Sequence, residues 1–234
     1  MLNVTTHSFT DAEALAQALA QRIAEQLREG IAERGSALLA LSGGSTPKHV
    51  FAHLSRQHLD WSKVQVTLVD ERWVPETNER SNAGMVKSLL LQHEASAAQF
   101  VPLYADSATP ESGLAIVKAR IAALQLPFDA VILGMGNDGH TASFFPGGDR
   151  LDEALDLQSN VRVLPMRAEG AGEPRITFTL AALLQTRALY LHIEGDIKRD
   201  LLADARSGIG PALNYPVRAV LTQKLVPVSV YWCR

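Results

Sequence analysis

The stretch that most limits the fold is Asp129 to Gly147, DAVILGMGNDGHTASFFPG. It opens as a buried strand, Asp129 to Leu133, and breaks at Gly134 and Gly136. Asn137, Asp138, Gly139 and His140 follow before Pro146-Gly147 closes it. A short apolar run passing straight into glycines and ionisable residues reads as the carboxyl end of a parallel strand. In open α/β sheets, ligands bind at that end. A tight turn with a solvated His has the same local pattern, so the rest of the chain has to decide between them.

The same strand-then-turn pattern recurs. Ala37 to Leu41 reads as a buried strand running into Ser42-Gly43-Gly44-Ser45-Thr46-Pro47, with a helix from about Pro47. Val64 to Val69 is a second such strand and ends in Asp70-Glu71-Arg72. Ala188 to Ile193 is a third and ends at Glu194-Gly195, and Val228 to Trp232 is the last strand. Phe100 to Tyr104 and Val161 to Leu164 look extended.

Helical patterns lie between these strands. Thr10 with Glu13 suits a capping box ahead of the face Leu15, Leu19, Ile23, Leu27, with Gly30 near its stop. Ser81 and Asn82 cap a helix through Leu91. Thr109-Pro110 opens another with Pro at its first position. Ile176 to Leu184 reads as helical, and Asp196 caps a helix that closes at Gly208. Ala168 to Pro174 reads as a loose connector and Asn214-Tyr215-Pro216 as a turn. Strands alternating with helices imply βαβ units. The expected fold is α/β: one domain over residues 1–234, three-layer α/β/α, with a mostly parallel, Rossmann-like sheet.

Composition excludes several classes of function. A net charge of −3 gives no reason to expect nucleic acid or a membrane surface as the main partner. No apolar run approaches the roughly 18 residues a spanning helix needs, and MLNVTTHSFTDAE has neither the basic region nor the apolar core of a signal peptide. The single Cys233 precludes an internal disulfide or a thiolate cluster, and no HExxH pattern suggests a metal. The expectation is a cytoplasmic protein, monomer or weak homodimer, with a small-molecule ligand.

Four features carry chemistry. Gly43 to Thr46, at a strand end and a helix start, suits an anion, because glycines let backbone N–H groups approach it and the helix dipole favours it. The spacing is neither GxxxxGK[ST] nor GxGxxG. Asp70-Glu71-Arg72 puts a carboxylate beside a guanidinium suited to phosphate, although a surface ion pair reads the same way. His140 is the side chain best placed to exchange a proton near neutral pH, with Asp138 or another carboxylate to orient it. Lys198 sits in the first turn of a helix, where a cation opposes the dipole and a bound anion would relieve the mismatch, although a solvated Lys beside Arg199 reads the same way. His192, inside an apolar strand, reads as a satisfied core His.

Together, LSGGSTPKHVF at 41–51, VDERWVP followed by Ser81-Asn82, GMGNDGHTASFFPG at 134–147, RITFTL at 175–180 and GDIK at 195–198 resemble the 6-phosphogluconolactonases. The resemblance implies a fold shared with the glucosamine-6-phosphate deaminase/isomerases. It implies hydrolysis of 6-phospho-D-glucono-1,5-lactone, a sugar-phosphate lactone, without metal or organic cofactor. Carried over by position, His140 matches the general base, Asp70 an active-site carboxylate, and Gly43, Gly44, Ser45, Thr46, Arg72 and Lys198 the phosphate-holding groups. The related deaminases carry a Glu just before the Pro-Gly, to assist ring opening; here that position is Phe145. A deaminase/isomerase and a non-catalytic sugar-phosphate sensor remain as alternatives.

Overall fold

The computed structural model describes residues 4–234. Strand β1 (Val4–Phe9) leads into α1 (Ala12–Arg34), β2 (Ala37–Leu41), α2 (Lys48–Leu54), β3 (Val64–Leu68), β4 (Asp70–Arg72) and α3 (Asn82–Leu89). Then come β5 (Gln99–Phe100), α4 (Pro110–Ala122), β6 (Ala130–Leu133), α5 (Leu151–Leu155), β7 (Val163–Met166), β8 (Arg175–Phe178) and α6 (Leu180–Leu183). The chain finishes with β9 (Leu189–Glu194), α7 (Asp196–Ser207), α8 (Val217–Thr222) and β10 (Val228–Cys233).

The apolar runs pair as a seven-stranded parallel sheet in the order β1-β10-β9-β6-β2-β3-β5. Buried on both faces, β2 and β6 have no exposed residue to spare, which is why they read as unbroken apolar runs. The helices cover opposite faces. Arg22 of α1 reaches Tyr190, whereas Arg199 and Leu202 of α7 pack around Val230 and Trp232, on the other side of the sheet. This is the three-layer α/β/α arrangement.

Strand β2 stands between β3 and β6. The chain leaves β2 towards β3 on one side and later returns to β6 on the other. The loops after β2 and β6 therefore diverge and open a cleft at their carboxyl ends. A second, antiparallel sheet, β4-β8-β7, adjoins this edge and pairs Asp70 with Thr177 and Arg72 with Arg175.

Several elements differ from the sequence expectation. Residues 175–178 form β8 rather than the start of a helix, because they bond to β4 on one side and β7 on the other. The helix is confined to α6, with Thr179 as its N-cap. Strand β1 is read poorly from sequence because, at the sheet edge, its polar side chains stay exposed while its backbone pairs with β10. Asp11, not Thr10, caps α1: its carboxylate accepts the Ala14 N–H at 2.8 Å. Glu13 instead pairs with His53 at 2.7 Å. Gly195, not Asp196, is the N-cap of α7.

Helix α1 also runs past Gly30 and stops at Gly35, which takes φ +77°. Gly30 serves packing: a Cβ there would overlap the carboxylate of Asp129. Asp129 is fully buried, accepts the Leu38 N–H at 2.8 Å, and pairs with Arg34 at 2.5 Å. It thus ties α1, β2 and the entry to β6 together. Asp129→Ala should cost about 2–4 kcal/mol, since it orphans a buried N–H and unpairs Arg34. Urea unfolding measures that loss, and KM should not change.

Candidate active site

The cleft is floored by the turns after β2 and β6 and walled by β4, β8 and the start of α7. The first turn, Ser42 to Pro47, is pinned where the Ser42 N–H donates to Ile132 O at 2.9 Å. Gly43 has no room for a side chain, because Asn82 lies against it, and Gly44 takes φ +95°. No side chain caps α2. Gly43, Gly44, Ser45 and Thr46 all line the cleft, as the sequence led one to expect.

The Asp70-Glu71-Arg72 triplet divides its labour, and it is not a surface ion pair. Glu71 is fully buried and turned away from the cleft. Its carboxylate accepts N–H groups from Arg72, Asn82 and Ala83 at 2.7, 2.9 and 2.8 Å, so it holds the first turn of α3. Burial pushes its carboxyl up, against the pull of those donors. Asp70 faces the cleft, accepts the Ser143 hydroxyl at 2.6 Å, and lies 3.7 Å from Arg175. Arg72 donates to Arg80 O at 2.7 Å, and its buried Nε has no hydrogen-bond partner among the described residues.

Arg175, Arg80 and Asn82 also line the cleft and were not singled out as site residues. Arg175, left unplaced by sequence reading, is buried, donates to Ala171 O at 2.7 Å, and lies 5.3 Å over the Phe145 ring. Burial pushes its pKa down while Asp70 opposes that shift. Arg80 donates to Glu173 at 2.9 Å. Asn82 donates to Asp70 O at 3.0 Å. In the small sheet Arg175 sits directly across from Arg72, a pairing set by partners distant in sequence. The 168–174 segment is accordingly tied down by Arg80 and Arg175 rather than loose. Trp73 packs away from the cleft, its indole N–H bonded to Ser107 O at 2.9 Å.

The second turn presents His140. Asp138 Oδ1 lies 2.6 Å from His140 Nδ1 and accepts the His140 backbone N–H at 3.1 Å. Asp138, the carboxylate the sequence offered first, is the one against the ring. With Nδ1–H donated to Asp138, Nε2 keeps its lone pair. The imidazole stacks on Phe145 at a centroid distance of 4.3 Å.

Lys198 closes the far wall, half-buried; burial lowers its pKa and nearby Glu194 opposes the change. His192 also lines the cleft. Its Nε2 lies 3.1 Å from Glu194, but the buried Nδ1 has no partner among the described residues, so the expected core His is satisfied there on one nitrogen only.

A model of the family described as glucosamine-6-phosphate isomerases/6-phosphogluconolactonase matches residues 10–232. The chain belongs to this family. It is 52% identical to a 6-phosphogluconolactonase of Rhizobium meliloti over 231 residues, 99% of each chain. It is 50% identical to one of Mesorhizobium japonicum, over 97% of this chain and 94% of that one. A crystal structure of a 6-phosphogluconolactonase from Shewanella baltica superposes with a TM-score of 0.91 at 39% identity, covering 99% of this chain and 98% of the other.

Within this family, Phe145 is informative. The position where the resemblance implies a Glu in the deaminases holds a buried ring here, stacked on His140 and lying beneath the Arg175 guanidinium. A carboxylate cannot be inserted there without leaving the ring's place unfilled. Glu71→Ala should destabilise the fold by about 2–4 kcal/mol, because two helix amides lose their acceptor. The readout is thermal unfolding, paired with a rise in KM as Asn82 moves off Gly43.

Proposed function

We propose that this chain hydrolyses 6-phospho-D-glucono-1,5-lactone to 6-phospho-D-gluconate, the second step of the oxidative pentose phosphate pathway. The observation that carries the reading is His140 Nδ1 tied to Asp138 in a cleft that Arg72, Arg175 and Lys198 also line. A proton acceptor and a built anion site face one space.

The phosphate docks on the Gly43–Thr46 turn with Lys198 and Arg72, and Arg175 adds a third cation. That grip holds C1 of the lactone near His140. Neutral His140 takes a proton from water through Nε2 as the water oxygen bonds to C1. The C1–ring oxygen bond then breaks, and the imidazolium returns its proton to the departing oxygen. Asp138 keeps the ring in the acceptor tautomer and stabilises the imidazolium. Main-chain N–H groups of the glycine turns are suited to the oxyanion. Asp70, held by Ser143, is left to orient the water or a sugar hydroxyl. A δ-lactone is already an activated ester, so no nucleophilic side chain is required. We place the activity in the cytoplasm, carried by a monomer or weak homodimer.

Acid release from freshly prepared lactone tests the activity and distinguishes it from a non-catalytic sensor. Ammonia release from glucosamine 6-phosphate would instead favour the deaminase reading, against which Phe145 stands. His140→Ala should lower kcat by about 10²–10⁴-fold with little change in KM. Lys198→Gln should do the reverse, raising KM by roughly tenfold with kcat nearly unchanged, since it removes binding common to ground and transition states.

Affinity for 6-phosphogluconate should also weaken as pH rises. Lys198 loses its charge at a lower pH than a free lysine, because burial already lowers its pKa. Product-inhibition constants measured across the alkaline range check this, and in Lys198→Gln that part of the dependence should vanish.

A further inference from the structure

The turn at Asn214-Tyr215-Pro216 has no chemistry of its own, but it sits against the outer side of the loop that carries His140. Gly139 takes φ +77°, and a Cβ built on it would stand 2.6 Å from Cβ and Cγ of Tyr215. Just beyond, the Val217 N–H donates to Gly139 O at 2.9 Å. Nothing larger than glycine fits between the loop and the Tyr215 ring.

The inner side of the same loop is equally confined. The Gly136 N–H donates to His140 O at 2.9 Å, and a Cβ on Gly136 would overlap the imidazole. The imidazole also stacks on Phe145. The Gly136 backbone and an aromatic ring thus both crowd it, and the turn's other close contact lies in the direction of Gly139. Tyr215 fills that direction. The wedge is itself secured, because Arg218 donates to Ala205 O at 2.8 Å, in the last turn of α7. The helix bearing Lys198 and the loop bearing His140 are therefore joined through residues 215–218.

We infer that Tyr215 is a positioning residue for His140: wedged against Gly139, its ring keeps the Asp138–His140 turn closed, with Nδ1 on Asp138 and Nε2 towards the cleft. The inference rests on the reading of His140 as the general base. Tyr215 does not line the cleft and need not touch substrate. Small displacements of a proton acceptor are costly: a shift of about 1 Å can lower a rate by as much as 10²-fold. The contact runs through Cβ and the ring, so the phenol oxygen is dispensable.

The test compares Tyr215→Ala, Tyr215→Phe and His140→Ala by kcat, by KM and by the inhibition constant of 6-phosphogluconate. Tyr215→Ala should lose roughly 10- to 100-fold in kcat while the inhibition constant holds, and Tyr215→Phe should restore the parent rate. Should Tyr215→Ala fail to fold, Tyr215→Ser, which also lacks the ring, carries the same comparison. Parent kcat in the ring-less variant beside an inactive His140→Ala overturns the wedge and leaves the general base standing. Equal losses in kcat and product affinity also overturn it, because they report general damage to the cleft. A His140→Ala enzyme at the parent rate removes both the base and the need to position it.

Discussion

The cleft exists because β2 and β6 lie side by side while the chain between them goes the other way round. Both strands end at the same edge of the sheet, so the backbone delivers the glycine turn at 43–46 and the His140 turn to one place without any long excursion. Neither turn forms the cleft alone. The Ser42 N–H bonded to Ile132 O couples the two strand ends directly, and the buried Asp129 locks their other ends to α1.

On that scaffold the electrostatics follow a simple division. Cations gathered in a partly buried space repel one another, and the three arginines are each held by a protein oxygen: Arg72 by Arg80 O, Arg175 by Ala171 O, and Arg80 by Glu173. Those bonds fix the guanidinium groups without neutralising them all, and leave room for a dianion. The carboxylates are kept in separate roles. Glu71 is spent on α3, Asp138 on the imidazole, and Asp70 faces the cleft. A fixed imidazole tautomer is the result that matters most for chemistry, because Nδ1 and Nε2 are not interchangeable once one of them is bonded.

Much of this was legible in the sequence for a physical reason. A strand buried on both faces must be apolar throughout, and the residues that follow it must supply the turn, so the ends of β2, β3 and β6 announce themselves. Gly43–Thr46, Asp70, Arg72 and His140 were found this way and Lys198 through the family resemblance, and all of these line the cleft, whereas Asp138 is not among its lining residues. What was hidden depends on partners distant in sequence. Glu71 reads like Asp70 until α3 folds over it. RITF reads as helix until β4 and β7 flank it. Arg175 becomes a cleft residue only as a member of that small sheet. Gly30 and Gly139 resemble ordinary turn or stop glycines, yet each is small because a side chain from elsewhere, Asp129 or Tyr215, occupies the space a Cβ would need.

The central claim is that one anion grip and one oriented imidazole address opposite ends of the same substrate. The most direct measurement is a crystal structure with 6-phosphogluconate bound. The phosphate should sit on the Gly43–Thr46 N–H groups and Lys198, with the C1 carboxylate within about 3.5 Å of His140 Nε2. A phosphate seated elsewhere, or a C1 group beyond the reach of one bridging water from the imidazole, would contradict it.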